Sequence, residues 1–233
     1  MKALFRQAFG AVRRHFVTGL LLLAAASTAA HLAWRASGSN EWKLVRDESG
    51  IRIYTLKEPG TTLLKIRGST RVKTSLASSV FLFRGDPSTN DDFGGKNFKV
   101  FDRIETPAMY LAYFSVEQPM PPPFDSKELV CLLNYAQDPK SKEVLINVQA
   151  APSRLPPTPN TTRVTHLNNM FRLKPLADGE VEWEITGDVD MGLFYPLANL
   201  AMPQFIFQGL SDQRKLVMKD RYQQARLVSV QEM

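Results

Sequence analysis

The chain has 233 residues and a formal net charge of +6, from 29 Lys and Arg against 23 Asp and Glu. Hydrophobic residues make up 44% of it and charged residues 22%, which excludes a disordered tail, a collagen and a polytopic membrane protein. The length is that of one domain of about 200 residues with a sizeable core, or of two small domains. The excess of basic residues raises the question of a nucleic-acid partner, so the position of these residues in the chain matters.

Most of the net charge lies in residues 1–30, which contain no Asp or Glu. The basic residues of this segment are Lys2, Arg6, Arg13 and Arg14. An apolar run from Phe16 to Ala30 follows and ends in small residues. A basic region before an apolar region of about 15 residues is typical of an export signal. The rest of the chain is nearly neutral, so we expect no nucleic-acid partner.

Three interpretations of residues 1–30 stay open. Cleavage near Ala29 or Ala30 would release an exported, periplasmic or envelope-associated protein. Retention would make the segment an inner-membrane anchor, because the run reaches Trp34 and approaches the roughly 20 residues that a membrane helix needs. The third interpretation is a buried helix. Residues 31–40 are predicted to be a linker.

The pattern after the linker predicts an antiparallel sheet. Runs that alternate apolar and polar side chains are separated by turn residues. The predicted strands are residues 42–46, 51–56, 61–72, 98–105, 109–116, 127–136, 143–150, 163–174 and 181–189. Residues 74–83 are predicted to form a helix that Thr74 caps.

The end of the chain changes to a helical period. Residues 196–219 are predicted to form an amphipathic helix with a break or kink at Pro203. One stripe of this helix consists of Ile206, Leu210, Gln213 and Val217. The predicted fold class is therefore α+β, with an antiparallel sheet whose concave face is covered by a long C-terminal helix.

The sequence lacks the residue clusters that metal binding and most catalysis need. His166 is the one histidine after residue 31 and Cys131 the one cysteine, which excludes a multi-histidine zinc site and an internal disulfide. Glu180, Glu182 and Glu184 are interpreted as a solvated strand face. We expect no metal, no cofactor and no catalytic residue.

Several motifs occur together in an order that resembles one family. They are Trp42 with residues 50–54, residues 118–130, Arg163 with Pro175-Leu176, and residues 188–196. The order and spacing resemble those of START domains, the lipid-transfer domains related to the steroidogenic acute regulatory protein. The resemblance covers residues 41–219. It departs from the family at Lys127-Glu128, where the family has Arg-Asp, and at Phe194 and Tyr195, which make the step into the last helix bulkier.

The resemblance implies a helix-grip fold, in which a curved antiparallel sheet wraps around a long C-terminal helix and encloses a tunnel for one lipid or sterol. The predicted organisation is a signal or anchor (1–30), a linker (31–40), a START-like domain (41–221) and a C-terminal tail (222–233). The gate of the tunnel falls on residues 120–124 and 194–217.

Strand alternation, oriented by the tunnel-facing Arg that the family has at position 127, predicts the lining of the tunnel. The predicted lining and gate residues are Met120, Phe124, Lys127, Leu129, Cys131, Leu133, Tyr135, Leu167, Asn169, Phe171, Phe194, Ile206, Leu210, Gln213 and Val217.

The predicted function is non-catalytic binding of a lipid or sterol-like ligand and its transfer between membranes. The expected partners are that ligand and a membrane surface touched transiently, and the expected state is a monomer. One alternative is a cyclase or hydrolase of a small apolar substrate that uses Tyr135, His166 and Asn169. The other is an envelope structural protein with a filled core.

Overall fold

The computed structural model describes residues 2–86, 88–89, 92 and 94–232, with side chains from residue 15 onward. Met1 and Met233, which end the two predicted terminal segments, lie outside the described residues. The chain divides into two compact units, Met1–Glu41 with Lys57–Thr62 and Trp42–Leu56 with Leu63–Met233.

One helix, α1 (Lys2–Ala36), dominates the first unit. It continues past the predicted signal into the residues predicted as a linker. Its part His15–Ala36 is long and apolar enough to cross a membrane, and none of that window is buried. The interpretation as a buried helix is therefore wrong.

The end of α1 is hydrogen-bonded to residues 57–62. Trp34 Nε1 donates to Thr62 O at 2.9 Å, and Arg35 Nε donates to Gly60 O at 3.1 Å. In return Gly60 N donates to Arg35 O at 2.7 Å. The last turn of the helix is therefore held in place by a second segment of the same unit.

The second unit is a ten-stranded sheet that carries helices on one face. Its strands run in the order β1-β2-β3-β10-β9-β7-β6-β5-β4 with antiparallel neighbours, and β8 pairs in parallel with β6. The strands are β1 Lys43–Glu48, β2 Ile51–Leu56, β3 Lys65–Lys73, β4 Lys96–Glu105, β5 Met109–Gln118, β6 Lys127–Gln137, β7 Val144–Ala150, β8 Thr162–Arg163, β9 His166–Pro175 and β10 Glu180–Asp190. The helices are α2 Leu76–Arg84, α3 Tyr195–Leu216 and α4 Asp220–Gln223. The predicted α+β class is confirmed.

Two predicted strands differ from the structure. The strand predicted over residues 163–174 is two strands, because the chain leaves β6 after Arg163 and joins β7 and β10 from His166. The strand predicted from residue 61 begins at Lys65, because residues 57–62 belong to the first unit.

Both predicted helices needed correction at one residue. Ser75, and not Thr74, caps α2, since the Ser75 hydroxyl accepts a hydrogen bond from Ser78 N at 3.0 Å. Pro203 does not break α3, which is continuous from Tyr195 to Leu216. Proline removes one backbone hydrogen bond, and the packing of α3 on the sheet outweighs that loss.

Helix α3 approaches the sheet closely at Gly68 in β3. A Cβ at this position would lie 2.7 Å from Leu210 Cδ1 and 2.9 Å from Ile206 Cγ2. Leu210 and Val217 are fully buried beneath the helix. The absence of a side chain at Gly68 therefore allows α3 to pack closely on the sheet.

We expect Gly68→Ala to lower the free energy of unfolding by about 1–3 kcal/mol, because the new methyl group overlaps the helix side chains. Gly209→Ala is the matched control: a Cβ there meets nothing within 4 Å, and alanine favours the helix by about 1 kcal/mol. Denaturant titration of the full chain in detergent, followed by near-ultraviolet circular dichroism, measures both. Equal effects of the two substitutions would contradict the close packing.

A buried ion pair lies on the outer face of β6. Arg163 Nη2 donates to Glu128 Oε2 at 2.6 Å, and Thr158 Oγ1 donates to Glu128 Oε1 at 2.5 Å. These bonds hold residues 152–163 over Val130, which is fully buried. Burial raises the pKa of Glu128, but hydrogen bonds from Thr158 and Arg163 outweigh burial and leave the pKa below its usual value.

Glu128→Gln is expected to lower the free energy of unfolding by about 3 kcal/mol at pH 7, because Arg163 stays buried without its counter-charge. The pKa of Glu128 is depressed in the folded state, so its contribution is present above the unfolded pKa of about 4.3. It is lost as the pH falls through the folded pKa. The free energies of unfolding of wild type and variant should therefore approach each other as the pH falls. Denaturation of both proteins between pH 7 and pH 3 checks this. Glu180→Gln, on the same outer face, is the control and should change stability by about 0.5 kcal/mol or less. A pH-independent difference for Glu128→Gln would refute the ionic contribution.

Candidate functional site

The inner face of the sheet is the face on which α2 and α3 pack. The strand register fixes which residues share it, because directly paired residues point to the same side. Tyr110 on β5 pairs with Tyr135 on β6, which pairs with Ile146 on β7, which pairs with Phe171 on β9. This row of four crosses the centre of the sheet.

A cavity of about 230 Å³ lies on the inner face, between the end of α2, α3 and strands β4, β5 and β9. Its apolar lining residues are Leu82, Phe83, Phe98, Val116 and Phe171. Its lining also includes the polar residues Asp86, Thr89, Gln118 and Gln213. The cavity is therefore largely apolar with a few polar groups, which is the usual character of a small-molecule site.

Aromatic contacts fix the walls of the cavity. The Phe83 ring lies 4.9 Å from the Trp183 ring in an edge-to-face arrangement and 4.9 Å from the Phe171 ring. The Phe98 ring stacks on Phe114 at 5.3 Å. Such pairs prefer defined geometries, so the packing constrains the positions of these rings relative to one another.

Gln213 brings an unsatisfied polar atom to this cavity. Its Oε1 is buried and accepts no hydrogen bond from any residue that the structure describes. A buried acceptor without a donor is destabilising. A hydroxyl or N–H group of a bound molecule could supply that donor.

The predicted lining residues of β6 and β9 lie on the inner face, as strand alternation requires. Those of β6 are Lys127, Leu129, Cys131, Leu133 and Tyr135, and those of β9 are Leu167, Asn169 and Phe171. Only Phe171 among them borders the cavity of about 230 Å³. Cys131, Leu133 and Tyr135 are buried in the packed core, so their contact with a ligand stays a prediction.

The structure shows the state of two of these buried side chains, Tyr135 and Cys131. The Tyr135 ring stacks on Tyr110 at 5.1 Å, and its hydroxyl forms a 2.7 Å hydrogen bond with Ser229 Oγ. Burial raises the pKa of the Cys131 thiol to about 12. The thiol is therefore neutral near pH 7, and Cys131 is a core residue and not a nucleophile.

The C-terminal tail packs against the domain, which no pattern in its residues predicts. Ser229 is buried against Tyr135, and Gln231 N donates to Gln137 Oε1 at 2.8 Å. The Glu232 carboxylate accepts hydrogen bonds from the first two backbone N–H groups of α2 at 3.0 and 2.9 Å. The tail thus caps α2 and closes the core beside Tyr135.

The predicted helix and gate residues fall into two groups. Leu210 and Val217 are fully buried, while Ile206 and Gln213 are half-buried on the side of α3 that faces the sheet. The gate residues lie at the surface: Met120 is half-buried, Phe124 is 43% exposed and Phe194 is 73% exposed.

The residues considered for catalysis do not converge. His166 is exposed on the outer face, where its Nε2 lies 2.5 Å from Asp188 Oδ2. Tyr135 and Asn169 are on the inner face. Within residues 2–232, as far as they are described, no group of three His, Cys, Asp or Glu residues could hold a metal ion.

Sequence reasoning missed most of the cavity wall. Leu82, Phe83, Phe98 and Val116 line it, and none of them was predicted as a site residue. Phe83 falls on the same face of the predicted helix 74–83 as Leu76 and Val80, and this apolar face is the available signal. The other three depend on which strands face α2 across the fold, and local periodicity does not contain that information.

A second depression, of about 780 Å³, is lined only by residues 109–147. It includes the outer-face residues Leu111, Asn134, Leu145 and Asn147, and no residue of α2 or α3 contributes to it. It therefore lies outside the space between sheet and helix, and the smaller inner cavity is the better candidate site.

Comparison with solved structures identifies the architecture. The STAR-related lipid transfer protein fragment from Xanthomonas axonopodis matches with a TM-score of 0.69 and 21% identity, over 76% of this chain and 99% of that chain. Human STARD10 matches with a TM-score of 0.66 and 14% identity over 80% and 76%, respectively. Human StAR-related lipid transfer protein 5 matches with a TM-score of 0.62 and 16% identity over 86% and 97%.

The chain has a START-like helix-grip fold, as the sequence motifs predicted. No protein-family model matches it, and a search of curated proteins found no match.

Proposed function

We propose that the chain binds one lipid or lipid-like molecule in the cavity between the sheet and α3 and exchanges it with a membrane. The observation that carries the proposal is an apolar cavity at this place in a START-like fold. Two structures of similar fold are named as lipid transfer proteins. Apolar walls favour a hydrocarbon chain by about 25 cal/mol per Å² of surface removed from water.

The size of the cavity implies that binding requires a movement. Ligand pockets usually measure about 300–1,000 Å³, and this cavity measures about 230 Å³. A complete lipid therefore enters when α3 or residues 118–127 move away from the sheet. The structure corresponds to the closed form of the proposed carrier.

The first half of α3 supports exchange with a membrane. No charged residue occurs between Met191 and Ser211. Large apolar side chains of this stretch are exposed: Phe194, Leu197, Leu200 and Phe205. An exposed apolar helix surface is suited to the boundary between lipid headgroups and hydrocarbon.

We also propose that α1 is a retained anchor and not a cleaved signal. The helix continues without interruption through Ala29 and Ala30 to Ala36. Its end is then fixed to residues 57–62 by the hydrogen bonds of Trp34 and Arg35, and Trp is typical of the membrane interface. Cleavage at the small residues would leave only residues 31–36 of the helix to form this interaction.

The enzyme alternative has no supporting observation among the described residues. Its three candidate residues occupy both faces of the sheet, and the Tyr135 hydroxyl is engaged by Ser229. A general base needs hydrogen-bond reach to a bound substrate, and exposed His166 on the outer face does not have it.

Lipid occupancy tests the proposed function. The full chain is purified in a mild detergent, and bound molecules are extracted and measured by mass spectrometry. Val116→Trp should reduce the bound lipid several-fold, because an indole ring fills the cavity that Val116 lines. Tyr113→Trp, on the outer face of the same strand, should leave the amount unchanged. A wild-type protein that carries no lipid and takes up none from vesicles would overturn the proposal.

The N-terminus of the mature protein tests the anchor. We expect the chain in a bacterial host to stay in the membrane fraction after carbonate extraction, with an intact mass that includes residues 1–30. Ala30→Tyr, which removes a small residue that a signal peptidase needs, should then leave the mass unchanged apart from the substitution. A soluble wild-type protein that begins near residue 30, with Ala30→Tyr retained at full length, would show that the segment is a cleaved signal.

A further inference from the structure

Lys127 has a mostly buried side chain whose ammonium has no counter-charge. It is the first residue of β6, its side chain lies on the inner face of the sheet, and the residue is 6% exposed. Across the described residues, no carboxylate lies within 4 Å of its Nζ and no hydrogen bond joins it to another group. The buried Arg84 differs, because it pairs with Glu105 at 3.1 Å, and Arg163 pairs with Glu128 at 2.6 Å.

Glu128, which follows Lys127, and Asp190, which precedes Gly192 by two residues, are hydrogen-bonded to other groups. Glu128 points to the outer face, where it binds Arg163 and Thr158. Asp190 Oδ1 accepts the backbone N–H of Gly192 at 2.8 Å. The Lys127 ammonium is not among the fully enclosed side-chain nitrogens, so water reaches it, and an anion from outside the chain would replace that water and pair with the charge.

The surroundings of Lys127 leave room for such a partner. The nearest heavy atom to a Cβ built on Gly192 is Lys127 Nζ, at 3.8 Å. The missing side chain of Gly192 therefore leaves open space in front of the ammonium. This space lies between the start of β6 and the turn that leads from β10 into α3.

Lys127 also lies next to the cavity. It pairs directly with Gln118 across β5 and β6, and Gln118 lines the cavity. The two residues are the ends of the Pro-rich loop, residues 118–127. An ammonium therefore stands at the loop, where the proposed ligand would enter, while the apolar wall of the cavity begins beside it.

We propose that the bound molecule is an amphiphile with an anionic headgroup, a carboxylate or a phosphate, which Lys127 Nζ binds while the hydrocarbon chain occupies the cavity. This inference rests on the proposed function. Lysine suits such a headgroup because its ammonium is a compact charge with three donors, which does not require the planar bidentate geometry of arginine.

A headgroup comparison tests the inference. The full chain is placed in phosphatidylcholine nanodiscs, and displacement of a fluorescent fatty-acid analogue is measured with palmitate, hexadecyl phosphate and hexadecanol. Empty nanodiscs correct for partition into the lipid. Palmitate or hexadecyl phosphate should bind about tenfold or more tightly than hexadecanol, because a hydrogen bond to a charged group is stronger than one to a neutral group. The tighter of the two anions identifies the headgroup as carboxylate or phosphate.

Two variants assign the preference to Lys127. Lys127→Met keeps the length and removes the charge, so anion and alcohol should bind within about threefold of each other. Lys127→Arg should keep the preference for an anion. The wild-type comparison does not depend on the folding of either variant. Equal binding of all three compounds by the wild type, or a preference that survives in Lys127→Met, would overturn the inference. Binding of none of them would instead overturn the proposed function.

Discussion

The alternation of side chains along β6 is the constraint on which the rest of the structure depends. Successive residues point to opposite faces, so Lys127 and Glu128 are neighbours in sequence and lie on opposite sides of the sheet. Glu128 points outward and binds Arg163, which fixes residues 152–163 on the outer face. Lys127 points inward to the space that α3 covers. One strand thereby separates a satisfied structural ion pair from an unsatisfied cation beside the cavity.

The inner face is built by close packing at one end and left open at the other. At Gly68 the helix α3 approaches the sheet so closely that a methyl group would overlap Leu210. Near Tyr135 the core is filled by ring stacking and sealed by Ser229 of the C-terminal tail. The cavity remains beside Phe171, where neither the helix nor the tail fills the space. A filled core throughout, as a purely structural protein would have, is therefore not what the residues produce.

The sequence predicted those features that depend on local periodicity and failed on those that depend on distant contacts. The faces of β6 and β9 and the buried stripe of α3 follow from periods of two and 3.6 residues, and they were predicted correctly. Residues 163–174 show the opposite case, because their split arises when the chain changes its strand partner. The cavity residues Phe98 and Val116 were missed for the same reason. The tail was predicted as a separate segment, because no pattern in residues 224–232 indicates that Glu232 caps α2.

Three features of the closed form would be satisfied by one bound molecule. The apolar wall at Phe171 has lost packing contacts, Gln213 Oε1 has no donor, and Lys127 Nζ has no anion. The buried Gln213 acceptor is unfavourable in an empty protein and borders the same cavity as the apolar wall, while Lys127 lies beside that cavity through its pairing with Gln118. Folding alone gives no physical reason for this coincidence, since a methionine at position 127 and a leucine at position 213 would remove two of these features. An occupant with an apolar chain and a polar, charged end gives a reason for all three.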